Sequence, residues 1–132
     1  MKFANTDIEL ELRATPTKFS RVLSSNFHKF TETKKSGGEV TTSDGEAAEF
    51  LTKQVYYLLE SFYKYKPLPA WEEFEESVTL EEITEFLNKQ VDVNGPHDFL
   101  LQPYKALLQA LDRISLSIVD TVDKETTKIL NP

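Results

Sequence analysis

Hydrophobic residues recur along this chain in two rhythms. From Asp7 to Arg13 they alternate strictly with polar ones, with Ile8, Leu10 and Leu12 on one face and Glu9, Glu11 and Arg13 on the other. That period of two predicts a half-buried strand, and a strand needs a partner for its backbone groups. The only other short β-branched stretch nearby is Glu39-Val-Thr-Thr, so a small hairpin and a pairing between chains both remain open. From Thr15 onward the rhythm is helical. Thr15-Pro16 predicts a helix start, Thr as the cap and Pro at the first helical position, followed by Phe19, Val22, Leu23, Phe27 and Phe30 at helical spacing to about Thr31. The polar, glycine-bearing run over 34–45 predicts a mobile loop. Ser43 with Glu46 fits a capping box that opens a long helix, whose stripe is Ala48, Leu51, Val55, Leu58, Leu59 and Phe62 and whose end lies near Lys66, before Pro67 and Pro69.

Trp71, Phe74 and Val78 predict a short helical turn. A second capping box, Thr79 with Glu82, opens a helix that turns Ile83, Phe86, Leu87 and Val91 inward and breaks at Asn94-Gly95-Pro96. The last helix begins at Asp98 or at Pro103 and carries Tyr104, Leu107, Leu108, Leu111, Ser115, Ile118 and Val122. Residues 123–132 predict a frayed tail. The expected fold is therefore mainly α: one domain over 1–132, a bundle of four to five helices with a strand-like segment over 1–14 forming a short strand or hairpin near the N-terminus.

Composition narrows the function. The chain has 132 residues, 39% of them hydrophobic, and no cysteine. Without cysteine there is no disulfide framework, thiolate nucleophile or Cys-based zinc site, and a reducing cytoplasm is the natural setting. The N-terminus turns polar before any signal-like stretch, and no window approaches the about 20 apolar residues of a membrane span, so a soluble, unprocessed protein is expected. A net charge of −7 disfavours nucleic acid and anionic membranes as partners.

No pattern of reactive side chains emerges. His28 and His97 lack a second ligand at metal spacing, and Asp98 beside His97 fits a helix entry better than an acid-base pair. No serine lies in Gly-x-Ser-x-Gly, no glycine-rich loop forms a phosphate cradle, and Asp92-Val-Asn94-Gly lacks the other ligands of a calcium loop. Catalytic, cofactor and metal sites are not expected, and neither is an enzyme.

Charge and aromatic residues are more informative. Between Arg13 and Lys35 six basic residues (Arg13, Lys18, Arg21, Lys29, Lys34, Lys35) face one acid, Glu32, a net of +5. Between Glu72 and Glu85 seven glutamates stand without a base, a net of −7. Either these are solvated helix surfaces, or Lys18, Arg21 and Lys29 of one copy meet Glu72, Glu73, Glu75 and Glu76 of the next, as complementary patches orient association. Head-to-tail contacts of that kind give a homo-oligomer, a ring or a spiral according to whether the rotation closes. On the long helix Phe50 and Tyr57 fall nearly opposite the main stripe, and Tyr56 and Tyr63 flank it. Either that helix is central and buried nearly all round, or these rings bind a partner; Trp71 and Phe74, set among glutamates, pose the same alternative.

The whole chain resembles the tail assembly chaperones of long-tailed bacteriophages, above all those of siphophages infecting lactic acid bacteria. The resemblance lies in the opening Met1-Lys-Phe-Ala-Asn-Thr-Asp-Ile-Glu-Leu-Glu-Leu-Arg13, the Thr15-Pro-Thr-Lys-Phe19 helix entry, the acidic Trp71-Glu-Glu-Phe74 stretch and the small acidic helical build. It implies a non-enzymatic protein of the infected cell's cytoplasm, absent from the finished virion. Such a protein binds the long helical tape measure protein, keeps it soluble and helps the major tail protein polymerise around it. The resemblance transfers no binding residues. The competing reading is a small acidic regulator or inhibitor that binds another protein through its acidic helix.

Overall fold

Each helix with one apolar stripe has to bury that stripe against a neighbour. The computed structural model describes residues 1–33, 35–36, 39–40 and 44–111, and among these the chain is mainly helical. Helix α1 spans Thr17–Thr33, α2 Asp44–Tyr57, α3 Trp71–Ser77 and α4 Leu80–Asn94. A 3₁₀ turn over Phe99–Leu101 leads into α5, helical over 102–111. Strands β1 (Lys35–Ser36) and β2 (Glu39–Val40) pair antiparallel, with Lys35 opposite Val40, inside the stretch predicted as a mobile loop. Ser43 of the first capping box, Ser115, Ile118 and Val122 of the last stripe, and the tail over 123–132 lie outside the described residues.

α2 is central, lying against α3 and α4, while α1 lies against the 3₁₀ turn. Its burial extends well beyond the main stripe: Leu51, Val55, Leu58 and Leu59 are inaccessible, and Ala47, Phe50, Thr52 and Gln54 are also buried. Of the rings set off the main stripe, Phe50 is buried, while Tyr56 and Tyr57 are half-buried.

The helix does not run on to Lys66. At Leu58 it widens into a π-turn over Leu58–Phe62, closed by the Tyr63 N–H donating to the Leu58 carbonyl at 2.9 Å, and the Tyr65 N–H reaches Leu59. A π-turn advances each residue by less than the 100° of an α-helix. Leu58, Leu59 and Phe62 face the core, and the Tyr63 hydroxyl meets Arg13 and Gln90. Lys64 then adopts a left-handed conformation (φ 50°), which ends the helix before the prolines do.

The predicted strand over 7–13 does not form. A single antiparallel bridge joins Lys2 to Glu9, the Phe3 N–H donates to Ile8 and the Leu10 N–H to Met1, and the terminal ammonium reaches the Leu10 carbonyl at 2.6 Å. The partner is the chain's own first three residues, too short to make a ladder. The alternation of burial still holds, with Ile8 buried, Leu10 and Leu12 half-buried, and Glu9, Glu11 and Arg13 exposed. Phe3, absent from the predicted stripes, is fully buried against Phe74 and Phe86.

The cap of α4 forms as its sequence predicts. The Thr79 hydroxyl accepts from the Glu82 N–H while the Glu82 carboxylate accepts from the Thr79 N–H, and Ile83, Phe86, Leu87 and Val91 are buried. Gly95 ends the helix at φ 85°, where an L side chain is strained. Thr15 takes a different part from the predicted cap. The Pro16 carbonyl starts the ladder of α1, and Thr15 is buried with its hydroxyl turned to Ser20 and Asn94. Pro103 sits in the first turn of α5, where no N–H is needed.

Candidate protein-interaction surfaces

The six aromatics singled out from the sequence divide into two groups. Phe50 and Phe74 are core residues. Phe50 is only 9% exposed and lies stacked against Phe30 at 4.3 Å and Tyr104 at 6.0 Å; Phe74 is inaccessible and packs on Phe3 and Tyr56. Neither presents a ring to a partner. Tyr56, Tyr57, Tyr63 and Trp71 are half-buried: Tyr57 leans on Phe19, Tyr63 on Phe62 and Phe86, and Trp71 meets Tyr56 edge-on at 5.5 Å. Tyr63 is held inward by Gln90 and Arg13, with the Arg13 guanidinium 4.7 Å from the Phe62 ring, so it too serves the fold.

Tyr56 opens onto a hollow of about 780 Å³ lined by Tyr56, Glu60, Ser61, Lys64, Tyr65, Lys66 and Leu68. Glu60 and Ser61 of the π-turn, the left-handed Lys64 and the proline-bounded Leu68 are among its lining residues. Both tyrosines are pinned from behind, Tyr56 by its hydroxyl donating to the Pro69 carbonyl at 2.8 Å and Tyr65 by donating to the Asp7 carbonyl at 2.7 Å. Burial pushes the Tyr56 phenol pKa up, and the Glu60 and Glu72 carboxylates nearby push it further. The hollow thus presents two hydrogen-bonded tyrosines with charges of both signs around them. Tyr65, Leu68 and Lys64 were not singled out from the sequence, because nothing in their spacing shows that a helix ends in a π-turn beside them.

A second surface runs along α1. Lys18, Arg21, Val22, Ser25, His28 and Lys29 recur at helical spacing, and with Ser24, Glu32 and Leu100 they line a shallow groove of about 690 Å³. Next to Leu100, Phe99 is 74% exposed, the most exposed of the large apolar residues described. Lys18, Arg21 and Lys29 are all exposed, as are Glu72, Glu73, Glu75 and Glu76 of α3. Among the described residues the ion pairs are Glu49–Lys53, Glu85–Lys89 and Asp92–Lys105, and none of the seven takes part in one. The structure thus brings neither patch to the other within one chain. It also trims both charge blocks. Arg13 stacks on Phe62 and Tyr63, Glu85 pairs with Lys89, and Glu82 caps α4.

The sequence did not mark the polar cluster that ties the N-terminal segment to α4. Gln90, 1% exposed, accepts from Tyr63 and donates to the Arg13 carbonyl at 2.7 Å and to Asn94; Asn94 in turn accepts from the Thr15 N–H and donates to Asp98. Ser20 also donates to Asp98, at 2.7 Å, so this carboxylate is occupied in holding α1 to the entry of α5. His97 and His28 are exposed. Among the described residues no three His, Asp or Glu side chains are grouped to hold a metal ion, and no helix is long and apolar enough to cross a membrane. Comparison of the chain with known protein families, with curated proteins and with solved structures finds no match.

Proposed function

We propose that this chain is a tail assembly chaperone of a long-tailed bacteriophage. In this reading it binds the tape measure protein, keeps it soluble and assists polymerisation of the major tail protein, acting in the host cytoplasm without entering the virion. It works by binding alone, in several copies. The observation that carries the reading is the hollow around Tyr56, Tyr65 and Leu68: preset rings flanked by Glu60, Lys64 and Lys66 suit the apolar stripe and polar flanks of an amphipathic helix. The sequence resemblance supplies the identity of that helix. A tape measure helix exposed before assembly is an aggregation hazard, and a bound acidic protein covers its apolar stripe. Each contact has to be weak enough for the major tail protein to displace it.

The exposed carboxylates of α3 favour a second reading, an acidic regulator whose helix occupies another protein's basic site. Co-expression with a tape measure fragment separates the two. The chaperone reading predicts that the fragment stays soluble and elutes with this chain. A fragment that precipitates beside a folded, soluble chain rejects it.

A further inference from the structure

We propose that Asn94 is a latent site of spontaneous deamidation, sealed while the chain is folded, whose reaction keeps the junction of α1, α4 and α5 from closing again. Of the asparagines Asn5, Asn26, Asn88, Asn94 and Asn131, only Asn94 precedes a glycine. With no side chain on Gly95 to crowd the approach, the Gly95 backbone nitrogen, its proton given to solvent hydroxide, can attack Asn94 Cγ. The N–Cγ bond forms, the Cγ–Nδ2 bond breaks, and Nδ2 takes a proton from water and leaves as ammonia. Water then opens the resulting succinimide ring at either carbonyl, giving aspartate or isoaspartate, the latter with the chain running through the side chain.

The folded chain obstructs both partners in that reaction. Asn94 is the last residue of α4, and the Gly95 N–H donates to the Val91 carbonyl at 3.1 Å, so the nucleophile is engaged. The amide is held as well. Its oxygen accepts from the Thr15 N–H at 2.9 Å and from Gln90 at 3.0 Å, and its nitrogen donates to Thr15 and, at 2.7 Å, to Asp98. Turning Cγ toward Gly95 breaks these bonds, so the reaction waits for the end of α4 to open. The same contacts make the product a poor fit. An aspartate at 94 has no N–H to give, and it sets a second carboxyl at hydrogen-bond distance from Asp98, where like charges repel. Asp98 already accepts from the buried Ser20 of α1 at 2.7 Å, so the repulsion falls on the contacts that hold α1 and the entry of α5 to α4. Isoaspartate also lengthens the backbone at the same point.

The test incubates the full chain at mildly alkaline pH, folded and in denaturing guanidinium, while peptide mass mapping follows the exchange of the amide NH₂ for OH. Asn94 should react ahead of the other asparagines in guanidinium and at least about tenfold more slowly in the folded chain, in proportion to the time its helix end spends open. Equal rates in the two conditions overturn the sealing, and an Asn94 that stays intact in guanidinium overturns the site. Asn94→Asp, one of the two products, should unfold at a lower temperature than wild type, and N94D/D98N, which sets one carboxyl against one amide, should recover most of the loss. If N94D does not fold at all, the double variant still should. N94D as stable as wild type, or a loss that the double variant does not relieve, overturns the claim that the modification prevents closure.

Discussion

Phe50 and Tyr57 stand seven residues apart on one helix, nearly on one line, and meet opposite surroundings. Phe50 is enclosed by Phe30 of α1 and Tyr104 of α5. Tyr57, two turns on, leans on the Phe19 ring at 6.4 Å and is half-buried. The same helical face is therefore core at one end and surface at the other, depending on which neighbouring elements cross it. The polar groups divide similarly. Around Gln90, Asn94 and Asp98 they satisfy one another inside the chain, whereas Lys18, Arg21 and Lys29 of α1 and Glu72, Glu73, Glu75 and Glu76 of α3 are in no ion pair among the described residues. Groups satisfied internally hold the fold together, and groups left open are available to other molecules.

The largest effect that sharpens this contrast is Phe50→Ala, expected to cost about 3–5 kcal/mol because a large ring leaves a cavity among others. Urea unfolding of this variant beside Tyr57→Ala gives the comparison directly; equal losses from both would erase the distinction between the two ends. Next comes Gln90→Ala, which removes the buried amide that ties the Tyr63 hydroxyl, the Arg13 carbonyl and Asn94 together and should cost about 1–3 kcal/mol. A loss below a few tenths would mean that water replaces the amide without difficulty.

Thr79→Ala removes the cap of α4 and should cost about 1 kcal/mol. Its partner Glu82 adds a pH dependence. Partial burial works against its charge, but hydrogen bonds from the Thr79 N–H, the Ala4 N–H and the Thr79 hydroxyl outweigh that, and its pKa is lowered. A carboxyl whose pKa is lower folded than unfolded adds stability that is complete above the unfolded value and disappears as pH falls through the folded one. Glu82→Gln should therefore lose stability at neutral pH and flatten the acid limb of the stability profile below about pH 4.5. A parallel acid limb would show that Glu82 is not coupled to folding. The smallest effects on stability belong to the outer charges. Reversing Lys18, Arg21 and Lys29 should change it by no more than about 0.5 kcal/mol each, measured by thermal unfolding in high salt.

What the sequence discloses follows from how local each feature is. The cap and stripe of α4 were fully legible, because Thr79, Glu82, Ile83, Phe86 and Leu87 lie within two turns and depend on nothing distant. The same holds for Gly95 as a terminator. The strand over 7–13 was not, because its alternation says which side is buried but not whether a partner of sufficient length exists. The π-turn leaves no mark in the helical periodicity, because Leu58, Leu59 and Phe62 fall on one stripe with or without it. Gln90 falls on the inward stripe of α4 by its spacing from Ile83 and Phe86, but nothing local shows that Tyr63, Arg13 and Asn94 gather around it. Of the site, the half-buried Tyr56 and Trp71 and the charged patches were visible as types and spacings. The hollow was not, since it depends on a change of helical pitch and on two tyrosine hydroxyls bonded to distant carbonyls.

The chain's single tryptophan offers the most direct test of the proposed role, because Trp71 meets Tyr56 edge-on at the border of the hollow. Its fluorescence can be followed while a tryptophan-free helical peptide from a tape measure protein is titrated in. A saturable shift of the emission to shorter wavelength, lost in Tyr56→Ala, is the result expected if the helix docks there. Emission that stays unchanged at peptide concentrations this chain keeps in solution would contradict it.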